Sequence, residues 1–191
     1  MKIGITGSSG LAKTLAGVLR IDAGHDVKDF RIEDITSNDV RFWGFEKLDV
    51  IVNFAHDDFE QTRILEIAHR AWKDDKSKYI INISSRASQS NISKGYLYAS
   101  AKASLNHLTS NLTYNSDKLY RICTINLGLL NSGDLPSLTH KEVAEVIKYL
   151  VALPEHLEIP EITIQHSANY QEVQHDKQLL KEIAAMSDKL I

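Results

Sequence analysis

The chain has 191 residues, of which 43% are hydrophobic and 25% are charged, and its formal net charge is −3. This composition is typical of a globular domain, and the slightly acidic balance excludes the basic surface that nucleic-acid binding requires. The single cysteine excludes an internal disulfide and no apolar run reaches the length of a membrane span, so we expect a cytoplasmic protein.

Apolar runs and stretches of helical periodicity alternate along the chain. The predicted strands cover residues 2–6, 25–30, 49–54, 78–84, 120–126 and 161–165, with a short extra strand over 32–35, and the predicted helices cover 10–22, 57–74, 95–116 and 140–152. Strands 49–54 and 78–84 are nearly continuous apolar runs, which indicates burial on both faces, as in a parallel sheet covered by helices. We therefore predict an α/β fold with a doubly wound parallel sheet in three α/β/α layers. Residues 1–191 are predicted to form a single domain, with 168–191 as a C-terminal helical extension.

The first strand is followed by a turn of small residues, Gly7-Ser8-Ser9-Gly10, and then by the first helix. Strand, glycine turn and helix in this order direct backbone N–H groups and the helix N-terminus at a phosphate. Gly7 permits the tight turn, and Gly10 allows a diphosphate to approach the backbone closely. The turn therefore indicates a nucleotide-binding site, with an ordinary strand-to-helix connection as the alternative.

A second pattern indicates proton transfer: Tyr98 precedes Lys102 by four residues, and Ser85 lies thirteen residues before Tyr98. Helical residues four apart share a face, so the ammonium of Lys102 is expected beside the phenol of Tyr98, where it favours the ionised form. Ser85 ends a buried strand, where its hydroxyl can bond the oxygen that Tyr98 protonates. The same Tyr–Lys spacing also occurs on ordinary exposed helices, so its meaning depends on the surrounding motifs.

Those surroundings resemble the short-chain dehydrogenase/reductase family. Residues 6–12 resemble its glycine motif, 49–56 its Asn-Asn-Ala-Gly segment, and 121–128 the strand that ends in Pro-Gly, while Ser85, Tyr98 and Lys102 resemble its catalytic set. The order and spacing of these segments are more specific than any one of them. The resemblance covers most of the chain and implies a Rossmann-like NAD(P)-binding fold.

The resemblance implies an oxidoreductase that reduces a carbonyl or oxidises an alcohol. Tyr98 is the expected proton donor or acceptor, Lys102 also binds the nicotinamide ribose, and Ser85 orients the carbonyl. Ser84 is the neighbouring alternative, but the thirteen-residue interval favours Ser85. The expected cofactor-binding residues are Gly7, Ser8, Ser9, Gly10, Leu11, Arg31, Asp34, Ile35, Asn53, Ala55, Tyr98 and Lys102.

The end of the second strand usually decides which dinucleotide binds. Arg31 stands there, and its guanidinium can hold a 2′-phosphate with two hydrogen bonds, which favours NADP, with NAD possible. Asp29, two residues earlier, favours NAD, and Arg31 could also be a solvated surface charge. Asp34 and Ile35 resemble the segment that touches the adenine in relatives with a short connection.

Several departures from the family pattern keep other functions open. The additional catalytic Asn of many relatives cannot be placed in residues 60–72, Leu127 and His56 replace a proline and a glycine, and the substrate-covering segment after Gly128 is short. A catalytically inactive dinucleotide-binding regulatory or scaffold protein is therefore one alternative. A sugar-nucleotide epimerase or reductase of the extended branch is another.

The expected partners are a small carbonyl or alcohol substrate and further copies of the chain, with no nucleic acid or membrane. Relatives commonly dimerise through the helices that here cover 57–74 and 95–116, which implies a homodimer or homotetramer. The eight histidines are scattered without metal-ligand spacing, so no metal site is expected.

Overall fold

The protein is described by a computed structural model that covers residues 1–30, 44–55, 58–89, 95–133, 136–168 and 178. Within these residues, six parallel strands form one sheet in the order β2-β1-β3-β4-β5-β6. The strands are β1 (Lys2–Thr6), β2 (Asp26–Phe30), β3 (Val50–Asn53), β4 (Tyr79–Ser85), β5 (Arg121–Leu127) and β6 (Glu161–Ile164). The helices are α1 (Gly10–Ile21), α2 (Glu60–Trp72), α3 (Tyr96–Asn115) and α4 (His140–Val151).

This arrangement confirms the predicted doubly wound sheet in three layers. Each of these strands and helices lies within three residues of its predicted bounds. The predicted strand over 32–35 lies outside the described residues, as does nearly all of the predicted extension over 168–191. Among the described residues, no helix combines the length and apolar character needed to cross a membrane.

The strand order places a crevice between β1 and β3. The chain leaves β1 towards β2 on one side and returns to β3 on the other, so the connections diverge at this point. In open α/β sheets, ligands bind at such a divergence, beyond the carboxyl ends of the strands. The glycine turn after β1 and the end of β3 both lie at this edge.

The two faces of the sheet differ in chemistry. Most strand residues that face α1 and α4 are apolar, as in Ile5, Val52 and Ile125. Arg121 is a buried exception, and it donates to the backbone carbonyls of Leu153 and Pro154. The alternate residues face α2 and α3, and five of them in sheet register are polar. This polar row consists of Thr6, Asn53, Asn82, Thr124 and Glu161.

Most of the polar row is buried and bonded within the protein. Thr6 donates to Asn53 Oδ1 at 3.2 Å, and Asn53 Nδ2 donates to Asn82 Oδ1 at 3.0 Å. Asn82 Nδ2 donates in turn to Thr109 Oγ1 of α3 at 3.2 Å. Because a buried polar group is costly without a partner, this chain of bonds determines how α3 sits against the sheet.

Candidate functional site

The glycine turn has the backbone geometry that an anion site needs. Gly7 has φ 137° and Gly10 has φ 51°, values that favour glycine over residues with a Cβ. The Gly7 N–H donates to Phe30 O at 2.8 Å, which ties the turn to the end of β2. Ser9 is the N-cap of α1 without a side-chain cap bond, and the described first turn of α1 contains no acidic residue. Ser8 and Ser9 are exposed while Leu11 is buried, so backbone N–H groups are accessible above a packed helix start.

The segment after β3 is attached to the same edge. The hydroxyl of Thr6 accepts from the backbone N–H groups of Phe54 and Ala55 at 2.9 and 3.0 Å. Asn53 is completely buried, and its side chain bonds to Thr6, to Asn82 and to the backbone carbonyl of Gln61. Of the two residues predicted here to bind cofactor, Asn53 therefore points its side chain into the protein, and Ala55 is also buried.

Lys102 of α3 lies almost entirely inside the protein, with 4% of its surface exposed. Its Nζ donates to Gln61 Oε1 at 2.5 Å and to the backbone carbonyl of Ile83 at 2.9 Å. An ammonium has three N–H donors, so one remains beyond these two bonds. The Nζ lies 5.6 Å from the ring centroid of Tyr98. Burial lowers the pKa of Lys102 to about 8, because the interior disfavours the charged form.

Gln61 of α2 bonds to the ammonium of Lys102 and to the backbone of two strands. Its Nε2 donates to the backbone carbonyls of Asn53 at 2.7 Å and Ile83 at 2.9 Å. Two carbonyl oxygens can be satisfied only by the amide NH₂, so the amide oxygen must face the ammonium. This single side chain links β3, β4 and α3.

Sequence reasoning did not identify Gln61 as a functional residue. The signal was present, because the buried residues of α2 are Gln61, Ile64, Leu65, Ala68 and Trp72, which follow helical spacing. An amide on an otherwise apolar stripe requires buried partners. Which partners it would find depends on the position of α2 against two strands, and one sequence does not provide that position.

Ser85 and Tyr98 lie at the open side of this arrangement. Ser85 is half-buried and caps a short 3-10 turn, Arg86–Ser88, with its Oγ accepting from Ala87 N at 3.1 Å. In that bond the Ser85 hydroxyl is the acceptor, so its own hydrogen is available to donate to a ligand. The neighbouring Ser84 is 2% exposed, and its Oγ has no partner among the described residues. Tyr98 is half-buried in the first turn of α3.

The structure thus brings Lys102 beside Tyr98 and anchors α3 at the carboxyl end of β4, two residues before Ser85. Three of the predicted cofactor-binding residues, Arg31, Asp34 and Ile35, lie outside the described residues, as does His56. In the described part of the chain, no three His, Cys, Asp or Glu side chains gather as metal ligands.

The segment after β5 folds into a short loop. Asn131 N donates to Leu138 O, and Leu138 N donates to Leu129 O, each at 2.9 Å. Helix α4 then begins at His140, preceded by a capping box in which Thr139 and Glu142 bond each other's backbone N–H. Only residues 128–139 thus separate the end of β5 from α4, so the segment available to cover a substrate is small, as predicted.

No protein-family model matches the sequence, and no curated protein matches it. Solved structures do share the fold. The 3-alpha-hydroxysteroid dehydrogenase from Pseudomonas sp. B-0831, complexed with NADH, matches with a TM-score of 0.69 and 15% identity over 86% of this chain and 95% of that chain. An alcohol dehydrogenase from Thermococcus sibiricus, complexed with 5-hydroxy-NADP, matches with a TM-score of 0.67 and 18% identity over 88% and 98%.

A third similar structure has a different reaction. The UDP-N-acetylglucosamine 4-epimerase from Bacillus cereus matches with a TM-score of 0.66 and 15% identity, over 91% of this chain and 82% of that chain. Similarity at these identities shows the fold and leaves the chemistry to the site. The chain therefore has the Rossmann-type fold of the short-chain dehydrogenases/reductases, as its sequence motifs predict.

Proposed function

We propose that this protein is an NAD(P)-dependent oxidoreductase that reduces a carbonyl or oxidises an alcohol, with Ser85, Tyr98 and Lys102 as its catalytic residues. The observation that carries this proposal is the environment of Lys102. A buried lysine is costly, and here two buried acceptors hold it beside a tyrosine at the ligand-binding edge of the sheet. A lysine on the exposed surface of a helix would be solvated by water and would need neither acceptor.

The residues at this edge fit a nicotinamide dinucleotide. The backbone of Ser8, Ser9, Gly10 and Leu11 would hold the diphosphate, because the turn presents accessible N–H groups at the start of α1. Gly7 would contribute the tight turn that lets the diphosphate approach, since its own N–H is bonded to Phe30. Asn53 and Ala55 would contribute through their backbone at the nicotinamide end, since the Asn53 side chain is bonded inside the protein. When bound, the cofactor supplies the hydride that the side chains cannot.

The choice of NADP over NAD rests on the sequence. Arg31 would pair with a 2′-phosphate, and Asp34 and Ile35 would lie along the adenine. The similar structures were solved with NADH and with an NADP derivative, so they support a nicotinamide dinucleotide and not one of the two forms. We propose NADP as the preferred cofactor.

The protein's part in the reaction is proton transfer and positioning. In the reducing direction, the Tyr98 hydroxyl donates its proton to the carbonyl oxygen, and in the oxidising direction it accepts the proton from the alcohol. The Lys102 ammonium stabilises the phenolate left behind, and its third N–H is available for the ribose of the cofactor. The Ser85 hydroxyl donates to the carbonyl oxygen and stabilises the charge that develops on it.

We also propose that the protein assembles as a homodimer through α2 and α3. Large apolar side chains are exposed at both helices: Phe59 at 48%, Tyr96 at 81%, Leu97 at 76% and Tyr114 at 72%. A dimer that pairs these two helices would cover the apolar side chains, and exposed apolar surface is typical of protein–protein interfaces. Sedimentation equilibrium would detect the dimer, and a monomer at micromolar concentration would contradict it.

Cofactor titration is the first test of the proposed function. NADPH and NADH are titrated separately against the protein, with intrinsic fluorescence and thermal shift as readouts. We expect saturable binding with a clear preference for NADPH, followed by oxidation of NADPH in a screen of aldehydes and ketones. Binding without turnover of any carbonyl would favour the inactive regulatory or scaffold protein, and no binding of either nucleotide would overturn the proposal.

A further inference from the structure

The first residue of α4 lies against the glycine turn. A Cβ at Gly10 would lie 3.6 Å from Cε1 and 3.8 Å from Nε2 of the His140 ring, which is ordinary van der Waals contact. Helices α1 and α4 pack against each other, with Leu11 and Leu15 of α1 in the same core cluster as Val143 of α4. The starts of the two helices therefore meet at the carboxyl edge of the sheet, and the His140 ring lies there.

The nitrogens of this ring are not used within the described part of the chain. His140 is half-buried, and neither Nδ1 nor Nε2 has a hydrogen-bond partner among the described residues. A neutral imidazole has one N–H and a protonated imidazole has two, so the ring can donate in either state. A half-buried donor is costly unless water or a ligand accepts from it.

The ring is close enough to share a ligand with the glycine turn. The nitrogen and the Cβ position of one residue are about 2.5 Å apart, so Nε2 of His140 lies no more than about 6.3 Å from the Gly10 nitrogen. Two hydrogen bonds of about 2.9 Å to different oxygens of a diphosphate span that distance. A diphosphate held by the N–H groups at the start of α1 can therefore also accept from His140.

The groups around the ring favour an anion. The described first turn of α1 has no acidic residue, and Lys13 is exposed on the same helix. The acidic residue in the first turn of α4 is Glu142, and its carboxylate accepts from the backbone N–H and the hydroxyl of Thr139 at 2.7 and 2.8 Å. Because helix N-termini carry partial positive charge, the starts of α1 and α4 together attract a negative ligand.

We propose that His140 binds the diphosphate of the dinucleotide, by donating a hydrogen bond from its ring to an oxygen of the group that the glycine turn holds on the other side. This inference rests on the dinucleotide site of the proposed function, and it adds a side chain from α4 to a subsite that backbone N–H groups otherwise form. A donor to a charged acceptor stabilises a complex more than a donor to a neutral one, so the affinity for nucleotides measures this contact.

The test compares nucleotides with and without the diphosphate. NADP⁺ and ADP-ribose carry it, whereas adenosine 2′-monophosphate has the adenosine and the 2′-phosphate alone, and isothermal titration calorimetry at one ionic strength measures all three. His140→Phe keeps a ring against Gly10 but removes the N–H donors. We expect it to raise the Kd of NADP⁺ and ADP-ribose about 10-fold or more, the usual effect of losing a hydrogen bond to a charged group. The Kd of adenosine 2′-monophosphate should stay within about twofold.

Two further variants assign the loss to the ring nitrogens. His140→Gln places an amide N–H at a similar reach, so it should return the Kd of both diphosphate ligands to within about threefold of the wild type. His156→Phe is the matched control, because His156 is exposed in the segment after α4, at the end of that helix away from the glycine turn. The control should leave all three affinities as in the wild type.

The outcomes separate this inference from the function on which it rests. A loss for the diphosphate ligands in His140→Phe that His140→Gln restores, without turnover of any carbonyl, would retain the inference and overturn the oxidoreductase. With turnover present, the inference is overturned by an unchanged or lower Kd in His140→Phe, by an equal loss for adenosine 2′-monophosphate, or by equal losses in the Phe and Gln variants, and the oxidoreductase is retained. A wild type that binds none of the three nucleotides overturns both.

Discussion

Helices cover both faces of the sheet, but the side chains buried on the two faces differ in polarity. Towards α1 and α4, the strands present mainly Ile, Val and Leu, and the core cluster on that side consists of buried apolar residues. Towards α2 and α3, the strands present the polar row, and the helices answer it with Gln61, Lys102 and Thr109. Both faces exclude water, but the second carries the connected hydrogen-bond network that reaches Lys102.

The difference teaches where this fold can hold chemistry. An apolar face packs by shape and can shift slightly without leaving any group unsatisfied. A buried polar network cannot shift, because each displaced donor or acceptor would lose its partner at a cost of about 1 to 3 kcal/mol. The network therefore holds the ammonium of Lys102 at one position, as an acid–base site requires.

Removing the Tyr98 hydroxyl is expected to have the largest effect on the chemistry proposed for the polar face. Tyr98→Phe should lower kcat by about 10²- to 10⁴-fold, the range for the loss of a general acid, and should leave the dissociation constant of NADPH within about threefold. Stopped-flow turnover and fluorescence titration measure the two quantities. Tyr96→Phe is the control, because Tyr96 is 81% exposed two residues earlier on the same helix. Equal losses in binding and turnover would remove Tyr98 from the proton-transfer role.

Gln61 tests whether the polar face positions Lys102. Gln61→Leu keeps the size of the side chain but removes the acceptor of the ammonium and the donors to two carbonyls. We expect kcat to fall about 50-fold, near the upper range for a residue that orients a functional group, with NADPH affinity changed much less.

The control for Gln61 is Asn82→Leu. This change also deletes a buried amide on the same face, but Asn82 bonds to Asn53 and Thr109 and not to Lys102. Both variants should lower the midpoint of urea unfolding. If both also lower kcat equally, loss of stability explains the result and Gln61 has no positioning role.

The titration of Lys102, on the same polar face, makes the free energy of unfolding depend on pH. Its pKa in the folded protein is about 8, below the 10.5 of an ordinary lysine, because burial disfavours the ammonium. Between these values the unfolded state binds more protons, so the free energy of unfolding rises with pH. Relative to Lys102→Met, the wild type should gain about 2 kcal/mol between pH 8 and pH 10.

Urea unfolding of both proteins across this range measures that difference. A constant difference between wild type and variant would show that Lys102 is solvated in the folded state. A difference that shrinks with rising pH would have the opposite sign and would indicate that a carboxylate stabilises the ammonium.

The sequence predicts the fold well because the decisive signals are local. Strands β3 and β4 are nearly continuous apolar runs buried on both faces, and α1 has an apolar stripe that follows helical spacing. The glycine turn is likewise a local signal, since positive φ at Gly7 and Gly10 needs no distant partner. The strand order, in contrast, depends on pairing between segments far apart in the chain.

The site also combines features that local geometry determines with features that depend on distant contacts. The four-residue step from Tyr98 to Lys102 predicts their proximity, because helix geometry alone decides it. Ser84 has the same parity as the buried Asn82, so strand alternation predicts its burial, while the role of the half-buried Ser85 stays a prediction. The contact between Gln61 and Lys102 joins residues 41 positions apart, and it follows only from the packing of α2 and α3 on the strands.

The apolar face supplies the smallest expected effect and the complementary test. Val52 is completely buried towards α1 and α4, one residue before Asn53 on the opposite face. Val52→Thr keeps the shape of the side chain and adds a hydroxyl that its apolar neighbours cannot bond, which should lower the free energy of unfolding by about 1 to 2 kcal/mol. Turnover of the folded enzyme should remain within about twofold of the wild type, because no group bonded to Lys102 moves. Urea unfolding and kcat at saturating NADPH measure the two effects. A large loss of kcat at unchanged stability would mean that the apolar face also positions the site, and the distinction between the two faces would fail.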